Sequence, residues 1–137
     1  MKQVSLKSIE FLDIKKNDFK QIIKNNGLYV FPSGPGLSTI EIEKNYVRAL
    51  RGSDYVFFDS GYFVLLLKLL KKISVEKFSG YLFFKLLIKH LSKNKNKKLL
   101  SVDPNLKLSK KNRKFFTNLG INDNKLFNYI SPIYNLS

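Results

Sequence analysis

The sequence predicts an α/β fold in which helices flank a mostly parallel sheet. Two observations favour it. Short apolar runs rich in β-branched and aromatic residues are typical of buried strands, and each is followed by turn residues and then by a pattern typical of a helix. Because this alternation repeats along the chain, we expect parallel strands joined by right-handed crossovers within one sheet.

The strands are predicted from composition and from the turns that end them. Residues 4–12 mix apolar and polar side chains, which indicates a strand or one arm of a hairpin. The remaining segments are short, apolar, and bounded by Gly, Pro, Asp or Ser. These predicted strands cover residues 28–31, 55–58, 99–102 and 127–130.

The helices are predicted between these strands, where capping residues precede helical patterns. Residues 37–43 and 44–50 indicate either one broken helix or two short ones. The segment 61–72 is apolar nearly all round, so we expect it to be buried on more than one side or to meet another subunit. The other predicted helices cover residues 18–24, 80–91 and 107–119.

Length and composition limit the classes of function. A chain of 137 residues with 44% hydrophobic content predicts a single domain over residues 1–137. The absence of Cys excludes disulfides, zinc-thiolate sites and thiol catalysis, and the lone His90 cannot form a histidine metal site. We therefore expect no metal and no cofactor. No signal peptide or membrane span is visible, which predicts a cytoplasmic protein.

The charge balance indicates anionic partners. The formal net charge is +15, which suits nucleic acid, lipid head groups or nucleotide phosphates. Much of this charge lies in Lys- and Asn-rich turns such as residues 92–98, and such runs are more often solvated loops than binding sites. A basic surface could also hold the chain peripherally against the anionic inner face of the cell membrane.

Asp59 is the first candidate for chemistry. It follows the predicted strand 55–58 and opens the turn Asp59-Ser60-Gly61, and ligands of parallel sheets bind beyond the carboxyl ends of the strands. An Asp directly before a helix is also a preferred N-cap, which stabilises the helix by about 1 kcal/mol. The local sequence alone favours the cap, and both interpretations stay open at this point.

A second turn follows the strand 28–31. Pro32-Ser33-Gly34-Pro35-Gly36 forces a tight turn in which Ser33 can cap the next helix, and N–H groups around Gly34 and Gly36 could face an anion. As a phosphate site this signal is weak, since it lacks the spacing of the known phosphate-binding loops. Both turns are expected at the same edge of the sheet.

Three stretches in order carry a resemblance to a known family. They are GLYVFPSGPGLSTI from Gly27, YVRALRGSDYVFFDSGYFVLLLKLL from Tyr46, and Lys77-Phe78-Ser79-Gly80. Together they resemble the amino-terminal half of the WecG/TagA/CpsF glycosyltransferases. The resemblance covers residues 28–84 and is looser through 102–104 and 129–132. It implies a Rossmann-like, mostly parallel sheet with flanking helices, incomplete relative to the family.

The resemblance implies an inverting transfer of an N-acetylhexosamine, similar to N-acetylmannosamine, from a UDP-sugar to a polyprenyl-diphosphate-linked acceptor in cell-surface polysaccharide synthesis. Asp59 falls on the family's proposed catalytic base. Lys77 falls where the family usually has Arg, and would neutralise the departing diphosphate; the alternative is a solvated loop lysine. Ser33 falls where many members carry an Asn that contacts the sugar. Four further residues would shape the donor pocket, namely Gly34, Gly36, Ser60 and Gly61.

Members of that family are longer than this chain, so the resemblance implies a truncated or split member. Activity would then depend on the chain being complete enough, or on a second-half chain or a homo-oligomer covering the open edge of its sheet. The alternatives are an inactive remnant of the family and, from charge alone, a nucleic-acid-binding protein, although no RNA-binding aromatic motif is present.

Overall fold

A computed structural model describes residues 1–94 and 96–132. The chain divides into two compact units, Met1–Phe84 and Lys85–Ser137. The described residues form a mixed α/β structure with a mostly parallel sheet and helices, which confirms the predicted fold class at this level. No helix among them is both long enough and apolar enough to cross a membrane.

The first unit is built on a four-stranded sheet with the order β1-β2-β4-β3. The strands are β1 (Lys2–Leu6), β2 (Ile9–Asp13), β3 (Tyr29–Val30) and β4 (Tyr55–Phe57). Strands β2, β4 and β3 are parallel, whereas β1 pairs with β2 in the antiparallel sense. Lys7 and Ser8 join that hairpin with φ values of 52° and 60°, which a tight two-residue turn requires.

With one exception, the helices of this unit begin and end close to the predicted positions. They are α1 (Phe19–Ile22), α2 (Gly34–Ser38), α3 (Lys44–Arg51), α4 (Gly61–Lys71) and the start of α5 (Gly80–Lys93), which continues into the second unit. The second predicted helix, 44–50, matches α3, whereas α2 begins at Gly34 and ends at Ser38, so a helix over residues 37–43 is wrong. Lys72 ends α4 in the left-handed conformation, with φ 54°.

Helices pack on both faces of this sheet because side chains alternate along β4. Val56 of β4 and Phe58, which directly follows β4, belong to a cluster with Leu37 of α2 and Leu67 of α4. Phe57 points to the opposite face. There it joins an aromatic cluster with Phe19 of α1, Tyr29, Phe31, Phe78 and Phe83 of α5, linked by ring-centroid distances of 4.8–6.3 Å.

Helix α4 is buried on one side only. Leu67 is buried, but Tyr62, Leu65 and Leu69 are exposed on the opposite side. The described residues therefore do not bury the helix on more than one side, which was one of the two alternatives that its apolar sequence indicates. Contact with another subunit stays a prediction.

The second unit contains β5 (Leu99–Asp103), α6 (Leu106–Asn118) and β6 (Leu126–Ile130). Strands β5 and β6 pair in parallel, from Leu99 opposite Leu126 to Asp103 opposite Ile130. A cluster of Ile88, Phe116, Ile121 and Leu126 packs against one face of this pair. The described strands thus form two separate sheets, where the sequence pattern indicates one.

Candidate active site

The carboxyl ends of β3 and β4 lie side by side. These strands are parallel neighbours, with Tyr29 opposite Tyr55, so the turns that follow them leave the sheet at the same edge. The turns also come into contact, because a Cβ atom built on Gly34 would lie 3.0 Å from Ser60 Oγ. The structure therefore brings Gly34 and Ser60 together as predicted.

Three helices begin at this edge, and each begins with the same dipeptide. Every Ser-Gly pair in the sequence marks such a start, where the serine oxygen accepts a hydrogen bond from a backbone N–H three residues on. The donor–acceptor distances are 3.5 Å for Gly36 N and Ser33 Oγ at α2, 3.2 Å for Phe63 N and Ser60 Oγ at α4, and 3.2 Å for Leu82 N and Ser79 Oγ at α5.

Asp59 supports a helix other than the one that follows it. The N-cap of α4 is Ser60, so the interpretation of Asp59 as that cap is wrong. Asp59 Oδ1 instead accepts a hydrogen bond of 3.0 Å from Gly80 N, the first residue of α5. This contact forms because Phe78 N donates to Phe58 O at 2.9 Å, which returns the chain to the end of β4.

The second carboxylate oxygen of Asp59 remains accessible. The side chain is half-buried, and no described residue donates a hydrogen bond to Oδ2. Among the described residues, every buried side-chain oxygen has a hydrogen-bond partner. Since Oδ2 has none, it is not buried and reaches solvent. One oxygen is thus held by a helix start while the other can accept a proton.

Lys77 lies beside the start of α4. A Cβ atom built on Gly61 would lie 3.8 Å from Lys77 Nζ, which places this ammonium next to the turn that carries Asp59. Lys77 is exposed and forms no ion pair with any described carboxylate. A cation is therefore free at the same edge, next to helix N-termini that also favour anions.

Gly36 has a packing reason that the sequence does not reveal. A Cβ atom at this position would lie 2.7 Å from the Tyr46 hydroxyl oxygen, so any side chain would displace the Tyr46 ring from this turn. Burial raises the pKa of Tyr46, in keeping with a phenol packed against this turn. A role for Gly36 in a donor pocket stays a prediction.

Comparisons with protein-family models, with curated proteins and with solved structures return no match for this chain.

The described residues also contain no group of three or more His, Asp or Glu side chains that could hold a metal ion. The site combines an open carboxylate oxygen, an ammonium that no described carboxylate pairs, and adjoining helix starts. These groups can accept a proton and bind an anionic ligand, which is a combination that group transfer from a diphosphate requires.

Sequence reasoning missed two participants at this edge. Gly80 supplies the hydrogen bond to Asp59, and the recurrence of Ser-Gly was the signal that could have linked it to the other turns. Asp13 is the last residue of β2, the strand that neighbours β4. Its Oδ1 accepts a hydrogen bond of 2.9 Å from Glu76 N. It is thus a second carboxylate at the carboxyl edge of the sheet.

Proposed function

We propose that this chain is an inverting sugar transferase, or the catalytic part of one, that moves an N-acetylhexosamine from a UDP-sugar to a polyprenyl-diphosphate-linked acceptor. The observation that carries the proposal is the accessible Asp59 Oδ2 together with the Lys77 ammonium next to Gly61, which no described carboxylate pairs, at an edge where two parallel strands end and three helices begin. The resemblance to the WecG/TagA/CpsF glycosyltransferases, which implies a Rossmann-like fold, also supports a sugar transferase.

In the proposed reaction Asp59 is the general base. Its open oxygen takes the proton of the acceptor hydroxyl as the hydroxyl oxygen attacks the anomeric carbon of the sugar. The bond from that carbon to the UDP oxygen breaks, and UDP leaves with the bonding electron pair. A positioned base typically contributes about 10²–10⁴-fold in rate.

Lys77 and the helix starts act on the leaving group. The ammonium would neutralise charge that develops on the departing diphosphate, and Ser33, Gly34, Ser60 and Gly61 line the adjoining turns. Lys supplies a point charge without the paired donors of Arg, so its grip on the diphosphate depends on position rather than on a two-pronged contact.

The test measures UDP release from UDP-N-acetylmannosamine and UDP-N-acetylglucosamine, with and without a polyprenyl-diphosphate-linked N-acetylhexosamine. We expect release only with the lipid acceptor, and a fall of about 10²–10⁴-fold in Asp59→Asn. Asn is chosen because its carbonyl oxygen can still accept from Gly80 N.

Asp54→Asn is the matched control. Asp54 also accepts one backbone hydrogen bond, 2.8 Å from Leu28 N, but it precedes β4 and so lies at the opposite end of that strand. We expect this variant to keep its activity. If Asp59→Asn releases UDP as fast as the parent chain, Asp59 is not the base and the mechanism is wrong. If only Asp13→Asn loses activity, Asp13 at the end of β2 is the base instead. Donor binding in calorimetry without any transfer favours the inactive remnant.

A further inference from the structure

The second unit carries a large share of the net positive charge. From residue 85 on, the sequence holds 12 of the 25 Lys and Arg residues but only two acids, Asp103 and Asp123. Asp103 is buried and accepts three side-chain hydrogen bonds, while Asp123 pairs with Arg113. Neither carboxylate forms an ion pair with a described lysine.

Four of these lysines lie on one side of α6. Lys107, Lys110, Lys111 and Lys114 are spaced at intervals of three, four and seven residues, which places them on one helical face. All four are exposed, whereas Ser109 and Phe116 on the other side of the helix are buried. We refer to these four residues as the lysine stripe.

Large apolar side chains border the lysine stripe. Leu108 is 40% exposed and Phe115 is 48% exposed, and their spacing of seven residues puts them on the same side of α6. Lys111 lies three residues after Leu108 and four before Phe115, so the apolar pair directly adjoins the stripe. Exposed Leu and Phe beside a row of Lys is the pattern of helices that lie in a membrane interface.

We infer that α6 is a docking surface for an anionic phospholipid bilayer, with the lysine stripe on the lipid phosphates and Leu108 and Phe115 in the interface. A second copy of this chain does not fit, because each copy carries the same excess of positive charge. Single-stranded RNA fits less well, since only one of the two apolar side chains, Phe115, offers a ring on which a base can stack.

This inference rests on the proposed function for its biological sense, because a polyprenyl-linked acceptor lies in a membrane. Its physical basis is separate, since every contact used lies within the second unit. Vesicle binding requires neither a sugar donor nor Asp59, so the two proposals can fail independently.

The experiment is sedimentation of the full chain with vesicles of phosphatidylcholine alone and with phosphatidylcholine containing phosphatidylglycerol. We expect binding only to the anionic vesicles, weakened by salt. The variant K107Q/K110Q/K111Q/K114Q should bind about 10²–10³-fold more weakly, since each Lys near an anionic surface contributes about fivefold. Leu108→Ser should weaken the binding that remains at high salt.

The matched control is K16Q/K20Q/K24Q/K44Q, which removes four exposed lysines from the first unit. Its net charge therefore equals that of the stripe variant. It should bind within about twofold of the parent chain if the stripe, rather than total charge, is responsible. Equal losses in both variants overturn the inference, as does unchanged binding in the stripe variant. Tight binding to a 20-nucleotide RNA, lost in the stripe variant while vesicles bind no protein, assigns the stripe to nucleic acid instead.

Discussion

Asp59 combines a structural contact with the proposed chemistry, and two substitutions separate them. Asp59→Ala removes the acceptor of the Gly80 N–H at the start of α5, so we expect the free energy of unfolding to fall by about 0.5–2 kcal/mol. Asp59→Asn keeps an acceptor oxygen and should leave stability nearly unchanged. Urea denaturation followed by circular dichroism measures both.

Transfer activity should collapse in both Asp59 variants, although only one of them is destabilised. If Asp59→Asn loses as much stability as Asp59→Ala, the carboxylate charge itself stabilises the start of α5. A loss of activity in Asp59→Asn would then no longer be evidence that Asp59 is a general base. The comparison therefore decides how the activity experiment is interpreted.

At this scale the sequence predicted positions better than partners. Asp59 could be placed at the sheet edge because a strand, a turn and a helix follow one another locally. Its donor could not be found, because Gly80 lies 21 residues away and reaches Asp59 only when residues 72–79 return to β4. For the same reason the local sequence favours Asp59 as the cap of α4, whereas Asp59 accepts from the start of α5.

At the scale of elements, the β5–α6–β6 segment is joined by one buried carboxylate. Ser101 Oγ and Asn112 Nδ2 each donate to Asp103 Oδ1 at 2.7 Å, and Asn128 Nδ2 donates to Oδ2 at 2.8 Å. The donors come from both strands and the helix. These hydrogen bonds, led by that from Asn128, lower the pKa of Asp103 from 3.8 to about 2.

This network predicts a specific response to acid. Because the pKa of Asp103 is lower in the folded chain than in the unfolded chain, its contribution to stability is present above about pH 4 and is lost as pH falls to about 2. In Asp103→Asn the amide must face donors, so we expect a lower urea midpoint at pH 7 and a difference from the parent that shrinks toward pH 2.

The measurement is urea denaturation at several pH values between 2 and 7. Asp123→Asn is the control, because its ion pair with Arg113 is exposed and surface pairs contribute only about 0–1 kcal/mol. A constant difference between Asp103→Asn and the parent across this pH range would show that the carboxylate charge contributes nothing.

The elements themselves were largely predictable, since their signals are local. The capping residues Ser33 and Ser79 occupy the predicted positions, and Gly120, with φ 87°, follows the end of α6 as a glycine should. The network around Asp103 was not predictable, because residue 103 carries only the local signal of a strand end. Two of its three donors lie 9 and 25 residues further on.

At the scale of the whole molecule, strand pairing was the least predictable feature. Alternation of strand and helix indicated one parallel sheet, but β1 is antiparallel and β5 pairs only with β6 among the described strands. Pairing between strands distant in sequence depends on which faces bury the most apolar surface, and no local pattern records that choice.

The described residues leave one face of the β5–β6 pair uncovered. Leu100 lies opposite Phe127 and Val102 opposite Tyr129, and all four are exposed, with Leu100 at 60% and Val102 at 64%. Parallel sheets are normally covered on both faces, because their strands are apolar on both sides. This face is therefore a contiguous apolar patch on a folded chain.

Such a patch should bind an uncharged hydrophobic dye in the native state. We expect the Nile red fluorescence measured with the folded chain at pH 7 to fall by about half or more in Val102→Thr/Phe127→Thr. Thr is chosen at both positions because it favours strands and so preserves the β5–β6 pair. The control Ile42→Thr/Leu106→Thr replaces two exposed apolar residues outside this patch and should change the signal little. An uncharged dye avoids the attraction that a chain of net charge +15 exerts on anionic probes. Equal signals in the two double variants would mean that the dye reports scattered surface residues, and that the face of β5 and β6 is covered in solution.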